Sequence, residues 1–315
     1  MAEFNQSITR PDAEALIPED VAEEIIKNVP ENSAVMSMAR KLRNMSRGEL
    51  RLPILSSLVQ AGFVEGGSGL ISTTKAEWTD KYIYAEKIAS IVPIPNDVLA
   101  DVAFNIWDEV QPELESAMGQ AFDAAVLYGV GAPASFPLDI LAAAEAAGNN
   151  VVLAAIGDLY DDILSTGGIV SKIEDDGFMA DGYIGALSIR SALRGLRDDS
   201  GQPIFSSMMQ DKNVYQLDGV PIQFPRNGAV DQTKSLLIVG DWMQLVYSMR
   251  TDIEYKVLDQ AVITDQSGEV VLNLAQQDMS ALRVIMRVGW QLPNPVNRIE
   301  EDEAVRYPFS VLKPA

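Results

Sequence analysis

The feature that most constrains this chain is the stretch from Leu50 to Gly131, in which a glycine-rich arm runs directly into a long helix. Extended segments are predicted over Leu52–Val59 and Trp78–Ser90, and the glycines between them mark a tip: Gly62, Gly66, Gly67 and Gly69. A hairpin of two strands is marginal in water and leaves unpaired strand edges. The arm is therefore predicted to lie across a neighbouring copy of the chain.

Residues 104–128 have the apolar period of one amphipathic helix, which at 1.5 Å per residue would be about 37 Å long. The predicted apolar face recurs at steps of three and four and consists of Trp107, Val110, Leu114, Ala117, Ala121, Ala125 and Tyr128. Pro112 lies inside this pattern, where proline removes a backbone donor and clashes with the preceding turn. The sequence leaves open a kink near residues 108–111 or a helix that begins at Pro112.

The composition excludes most catalytic chemistry. The chain has no cysteine and no histidine, which removes disulfides, thiolate zinc sites and the Cys- or His-dependent catalytic arrangements. We therefore expect no enzymatic activity, no cofactor and no metal. Acid pairs such as Asp175–Asp176 and Asp198–Asp199 leave a cytosolic α+β enzyme that uses acidic residues as the weakest alternative.

The charge balance bears on the partners of the chain. There are 45 acids against 24 bases, a net charge of −21, whereas a protein that grips nucleic acid needs the opposite balance. Such a chain would repel nucleic acid, although solubility alone also accounts for the charge. No apolar run approaches the roughly 18 residues of a membrane span, and residues 1–6 lack a secretory signal. We expect a protein made in a cytoplasm, without a membrane partner.

One segment of this acidic chain is basic. Residues 40–51 contain five cations and one acid, Glu49; the cations are Arg40, Lys41, Arg43, Arg47 and Arg51. This segment has three alternative roles: it contacts DNA, it contacts an acidic neighbouring subunit, or it is only solvated. The overall acidity of the chain favours contact with a neighbouring subunit. The acidic run at residues 300–303 is predicted to be a solvated face.

The remainder of the chain alternates between short elements. Helices are predicted at residues 151–164 and 189–197, and a hairpin is predicted at 213–224 with its turn at Asp218–Gly219. Further strands are predicted at residues 182–187, 235–239, 244–249, 253–258 and 281–288. Helices mixed with mostly antiparallel strands indicate an α+β fold.

Several stretches carry a resemblance to a known family. They are Ala85–Asp101, the helix end Leu127–Gly129, Ser191–Phe205, and Ala281–Trp290 with Asn294–Pro295. In this order they make the chain resemble the tailed-bacteriophage major capsid proteins of the Hong Kong 97 type, over most of residues 50–298. The resemblance implies an α+β capsid fold with an axial domain, a peripheral domain that carries a long spine helix, an extended β-arm and an N-terminal arm.

The resemblance also implies domain boundaries. They are an N-terminal arm at 1–49, with one short helix predicted at Pro18–Asn28; an extended β-loop at 50–92; a peripheral domain at 93–134 and 270–315; and an axial domain at 135–269. The implied function is a major capsid protein that assembles as pentamers and hexamers into an icosahedral phage head around double-stranded DNA. An encapsulin-type compartment shell that encloses a cargo enzyme shares the fold and is the first alternative.

The implied partners are other copies of the chain, a portal, a separate scaffolding protein or none, optional decoration proteins and packaged DNA bound without sequence preference. The implied location is the virion, assembled in the host cytoplasm. Four arm aromatics are expected to be buried against neighbours: Phe63, Trp78, Tyr82 and Tyr84. Some members of the family join subunits through an arm lysine, but residues 62–71 contain no lysine, so locking by this arm is expected to be non-covalent.

Overall fold

The computed structural model describes residues 33–63, 73–101, 106–155, 157–196, 206–207, 215–264 and 267–315. The helices are α1 (Ala34–Met38), α2 (Asn96–Asp101), α3 (Ile106–Tyr128), α4 (Ile140–Ala147), α5 (Leu159–Leu164), α6 (Ile169–Asp175) and α7 (Ile189–Gly195). The helix predicted at Pro18–Asn28 and the tip glycines Gly66, Gly67 and Gly69 lie outside the described residues.

Fifteen strands are found in the described part of the chain. They are β1 (Arg40–Lys41), β2 (Glu49–Ser57), β3 (Glu77–Tyr84), β4 (Glu86–Pro95), β5 (Asn150–Val152), β6 (Gly182–Gly185), β7 (Ser206–Ser207), β8 (Tyr215–Leu217), β9 (Val220–Gln223), β10 (Leu237–Gly240), β11 (Val246–Leu258), β12 (Val262–Thr264), β13 (Val270–Asn273), β14 (Met279–Gln291) and β15 (Phe309–Lys313). This mixture of helices and strands is an α+β architecture.

Two sheets organise the chain. The first has the strand order β1-β11-β14-β4, in which β14 is antiparallel to both β11 and β4 and the short β1 is parallel to β11. The second has the order β5-β15-β10-β6-β9-β8-β7 and is mixed, with β5 parallel to β15 and β6 parallel to β9. Two further strand pairs, β2-β3 and β12-β13, stand outside these sheets.

One face of the four-stranded sheet packs against α3. Every second residue of β14 is buried, namely Leu282, Val284, Met286, Val288 and Trp290, which is the period of a strand with one covered face. The same core receives Leu114, Met118, Phe122 and Val126 at steps of four along α3. One face of the long helix is therefore buried against the sheet.

The predicted helix is confirmed over Ile106–Tyr128, but the middle of its predicted apolar face is wrong. Ala117 and Ala121 are exposed, whereas Met118 and Phe122, one residue further on, are buried. The helix turns its large side chains inward because they remove more apolar surface from water than alanine does.

Pro112 lies within α3, six residues after its first described residue, Ile106. The alternative in which the helix begins at Pro112 is therefore wrong. The kink remains a prediction.

The helix predicted at residues 151–164 is wrong over its first half, where the chain forms β5 and then turns into α5. Ala154 in the turn has a φ of 64°, and its amide donates a 2.5 Å hydrogen bond to the buried carboxylate of Asp162. The strands predicted at 244–249 and 253–258 are one strand, β11, with irregular register between Met249 and Glu254.

The predicted hairpin turn at Asp218–Gly219 is confirmed. Leu217 of β8 stands opposite Val220 of β9, and the two turn residues both have positive φ, 52° and 73°. This is the backbone that a two-residue hairpin turn with matching twist requires, and Asp-Gly adopts it readily.

Strand pairing cuts across the predicted domain boundaries. The resemblance implies that residues 270–315 belong with the spine helix, yet β15 pairs with β10 and β5 in the seven-stranded sheet. Conversely, β11 lies in the predicted axial segment but pairs with β14 in the four-stranded sheet. These pairings join residues far apart in the chain, which boundaries drawn along the sequence do not capture. The remaining division into domains stays a prediction.

Candidate functional site

The first candidate contact surface is the two-stranded arm. Strands β2 and β3 pair antiparallel from Glu49 opposite Tyr84 to Ser57 opposite Glu77, as a sheet of their own. The strand predicted at Trp78–Ser90 is in fact two strands, because β3 ends at Tyr84 and β4 belongs to the four-stranded sheet. Within the described residues both outer edges of the arm lack a strand partner, and such edges are ready to pair with another chain.

The four arm aromatics named from the sequence are exposed. Phe63 is fully exposed, and the exposed fraction is 68% for Trp78, 38% for Tyr82 and 39% for Tyr84. On β3 the last three alternate with the fully buried Ile83, so they share the outer face. The rings of Tyr82 and Tyr84 stack with centroids 6.3 Å apart. The arm thus presents an aromatic surface of the kind that marks protein contacts.

The base of the arm is fastened to the four-stranded sheet. Ile83 packs with Met45 and Val246 in a small core of its own, and the amide of Ala85 donates to the carbonyl of Gly48 at 2.8 Å. At Gly289 a side chain would collide with the backbone carbonyl of Tyr84, so only glycine lets β14 approach the arm this closely.

The loop after β14 also supports the arm, and no sequence pattern indicates this contact. The amide of Val296 donates to the carbonyl of Leu55 at 3.3 Å, and the guanidinium of Arg298 donates to the carbonyl of Val59 at 2.9 Å. On β3, Lys81 pairs with Glu303 at 2.7 Å. These contacts join residues more than 200 positions apart, so no local sequence pattern predicts them.

This loop is built around a buried arginine. Arg306 is 2% exposed, and its guanidinium donates to the carbonyls of Glu300 and Glu301, both at 2.9 Å, and to the side-chain and backbone oxygens of Asn294 at 3.2 and 3.1 Å. Backbone oxygens are strong acceptors, so these bonds compensate part of the cost of burying the charge. The segment Glu300–Glu303, called here the acidic loop, is thereby held in one shape.

The second candidate surface is the basic segment. Arg40 and Lys41 form β1, opposite Val246 and Tyr247 at the edge of the four-stranded sheet. The chain continues along β11, since Ser248 donates its hydroxyl to the carbonyl of Arg43 at 2.6 Å. Four cations of this segment have exposed side chains, and together we call them the basic edge: Arg40, Lys41, Arg43 and Arg47.

The structure separates Arg51 from the basic edge. Arg51 lies on β2 and forms an ion pair of 2.6 Å with Asp80 on β3. The hydrogen bond to Asp80 raises the pKa of Arg51. Its charge is therefore partnered within the arm, and exposed pairs of this kind contribute little to stability.

Another buried charge fixes the start of the described chain. Asp123 of α3 is fully buried and accepts hydrogen bonds from the hydroxyl of Ser33, the amides of Ala34 and Val35 at 2.9 and 3.2 Å, and the side-chain amide of Asn227 at 3.2 Å. Burial raises the pKa of Asp123, and the hydrogen bonds oppose this increase. The carboxylate satisfies the open amides at the first turn of α1.

Among the described residues, the acid pair at Asp175–Asp176 contributes a carboxylate with structural hydrogen bonds. Asp176 is buried and accepts from the side-chain amide of Asn149 at 2.6 Å and the amide of Tyr307 at 2.9 Å, which is a structural role. Asp198 and Asp199 lie outside the described residues. Over the described ranges no group of three or more acids is placed to hold a metal ion, and no helix there combines the length and apolarity needed to cross a membrane.

Residues 13–297 of the chain match the family model described as the phage capsid family. The chain belongs to the phage capsid family. It is 28% identical, over 267 residues, to the major capsid protein of Staphylococcus phage 80alpha, a match that covers 84% of this chain and 78% of that protein. The resemblance drawn from the sequence is confirmed.

Solved structures agree over nearly the whole chain. A chain from Microbacterium phage Oxtober96 is 32% identical with a TM-score of 0.83, covering 98% of this chain and 100% of that one. A chain from Mycobacterium phage Cain is 27% identical with a TM-score of 0.82, covering 98% and 99%. The α+β capsid fold of the Hong Kong 97 type is therefore confirmed.

Proposed function

We propose that this phage capsid family member is the major capsid protein of a tailed phage and closes, as pentamers and hexamers, into an icosahedral head around double-stranded DNA. The observation that carries the proposal is the exposed aromatic arm, on a chain that matches phage capsid structures along almost its full length. Its role is structural and consists of assembly.

Assembly follows from what a single subunit leaves uncovered. Among the described residues both outer edges of the β2-β3 arm lack a strand partner, and the exposed rings of Trp78, Tyr82 and Tyr84 lose water only when another copy covers them. Closed symmetry covers the same surface on every copy and leaves no open end. Because residues 62–71 contain no lysine, the arm locks the shell through non-covalent contacts.

The net charge of −21 supports a wall that encloses DNA without gripping it. Packaging then depends on a motor at a portal, and shell closure on a separate scaffolding protein, with decoration proteins as optional additions on the outside. The particle forms in the host cytoplasm and becomes the virion.

The proposal is tested by expressing the chain alone and together with a candidate scaffolding protein from the same phage. Electron microscopy of the purified material should show closed shells with five- and six-fold capsomers, and a denaturing gel of these shells should show a single monomer band. A protein that stays monomeric at high concentration under both conditions would overturn the proposal. Shells that copurify with one enzyme in fixed ratio would favour the compartment alternative instead.

A further inference from the structure

The chain carries two exposed patches of opposite charge, the basic edge and the acidic loop. We propose that the basic edge of one copy binds the acidic loop of the next copy in the shell. This inference rests on the proposed function, and it names the two surfaces of one subunit contact.

The basic edge is displayed without internal partners. Among the described residues, none of its four cations lies in an ion pair. Its backbone is fixed along β11 by the hydrogen bonds of Leu42 to Tyr247 and of Met45 to Met249, both 2.8 Å. The exposed Arg250 adds a further cation beside it, since its guanidinium lies 3.6 Å from where a side chain on Gly48 would begin. A rigid strip of positive charge therefore faces solvent on a strongly acidic protein.

The acidic loop is equally rigid and faces outward. Arg306 holds it from beneath, and the carboxylate of Asp302 accepts from the amide of Ala304 at 2.9 Å. The side chains of Glu301 and Asp302 are exposed, and within the described part of the chain neither forms an ion pair. Because the backbones of both surfaces are already ordered, their meeting costs mainly the freedom of the exposed side chains.

A second copy of this chain fits the basic edge better than nucleic acid does. A net charge of −21 opposes approach of a polyanion as a whole, whereas a rigid acidic loop on every neighbour offers a local match of charge. Two different complementary patches on one chain are what a head-to-tail contact needs, and contacts of this type generate rings when the rotation closes. Charge complementarity of this kind sets register and excludes wrong partners.

Charge reversal tests the contact from both sides. One variant carries Arg43→Glu with Arg47→Glu, a second carries Glu301→Lys with Asp302→Lys, and a third carries all four changes. Each of the first two should lower the yield of shells at least about tenfold, and the third should return it to near the wild-type yield. Lys256→Glu, at an exposed position of β11, is the matched control and should assemble normally.

Folding is followed separately by circular dichroism and thermal unfolding of the unassembled subunits, which should be close to wild type because all altered side chains are exposed and, within the described residues, only the hydrogen bond from the amide of Ala304 to Asp302 is lost. A combined variant that fails to assemble while remaining folded overturns the proposed pairing, and so do single-patch variants that assemble normally. Normal shells of the Arg43→Glu, Arg47→Glu variant that package less DNA would assign the edge to DNA instead. A wild-type chain that never assembles overturns the proposed function and this contact with it.

Discussion

At the scale of single residues, Asp123 shows how much one buried side chain can organise. Its carboxylate lies in α3 but satisfies the amides of Ala34 and Val35 at the first turn of α1. Removing a buried acceptor leaves its donors without partners, which costs more than the hydrogen bonds contribute in net terms. The place where residues 1–32 join the described chain thus depends on a residue some 90 positions away.

We expect Asp123→Ala to lower the free energy of unfolding of the unassembled subunit by about 1–3 kcal/mol. Burial raises the pKa of Asp123 above its ordinary value of 3.8, so its contribution to stability is complete below that value and is lost as the pH rises through the raised, folded-state value. The cost of the substitution should therefore be greatest near pH 4 and shrink toward neutral pH, as measured by urea unfolding at a series of pH values.

Asp231 provides the control for this pH dependence. Its pKa is lowered by hydrogen bonds from Thr233, so its contribution is present above the ordinary value and is lost as the pH falls through the lowered one. Asp231→Ala should show the opposite slope. A cost of Asp123→Ala that grows with pH would contradict burial as the main influence on this carboxyl.

At the scale of elements, α3 shows which property of a helix selects its buried face. Spacing alone is compatible with several adjacent faces, and small alanines at Ala117 and Ala121 fit the period as well as larger residues do. The structure buries Met118 and Phe122, and the ring of Phe122 lies 6.5 Å from that of Tyr247 on β11. The bulky side chains of α3 therefore join the helix to the sheet.

Phe122→Ala should lower the free energy of unfolding by about 3–5 kcal/mol, because it leaves a cavity between α3 and the sheet. Ala121→Ser, one residue away on the exposed side, should change it by less than about 0.5 kcal/mol. The free energies of unfolding of the two variants, measured by thermal or urea unfolding, show which face of α3 is buried. A larger loss at Ala121 than at Phe122 would support the face predicted from spacing.

At the scale of the whole molecule, the residues that hold the arm in place differ from the residues that it exposes for contact. Its base is fastened to the chain through Ile83 and Gly289, and the loop that carries Arg298 supports it nearer the tip, at Val59. Its outer face remains exposed. Substitutions there should therefore leave the subunit folded and act on assembly alone.

Trp78→Ser should leave the unfolding of the subunit unchanged but reduce the yield of shells at least about tenfold, since buried aromatic anchors dominate protein contacts. Sedimentation velocity and electron microscopy give the assembled fraction. Met179→Ser is a suitable control, because Met179 is 80% exposed but lies outside the arm. Equal assembly of both variants would contradict a contact role for the arm.

Much of the fold could be predicted because it depends on neighbours in sequence. The turn at Asp218–Gly219 needs two residues that tolerate positive φ, and the long helix needs only a regular apolar period. The helix predicted at 151–164 failed because a tertiary contact overrides local propensity there: the carboxylate of Asp162 holds the amide of Ala154 in a turn.

The amino-acid order alone determined the class of fold, the arm, the length of the spine helix and the absence of cysteine and histidine, since each is a property of composition or of a local period. Tertiary packing decided which face of α3 is buried, that β15 joins the distant seven-stranded sheet, and that Arg306 and Arg298 hold the loop that supports the arm. These depend on groups brought together from far apart in the chain, and the energy of such contacts exists only once the chain has folded.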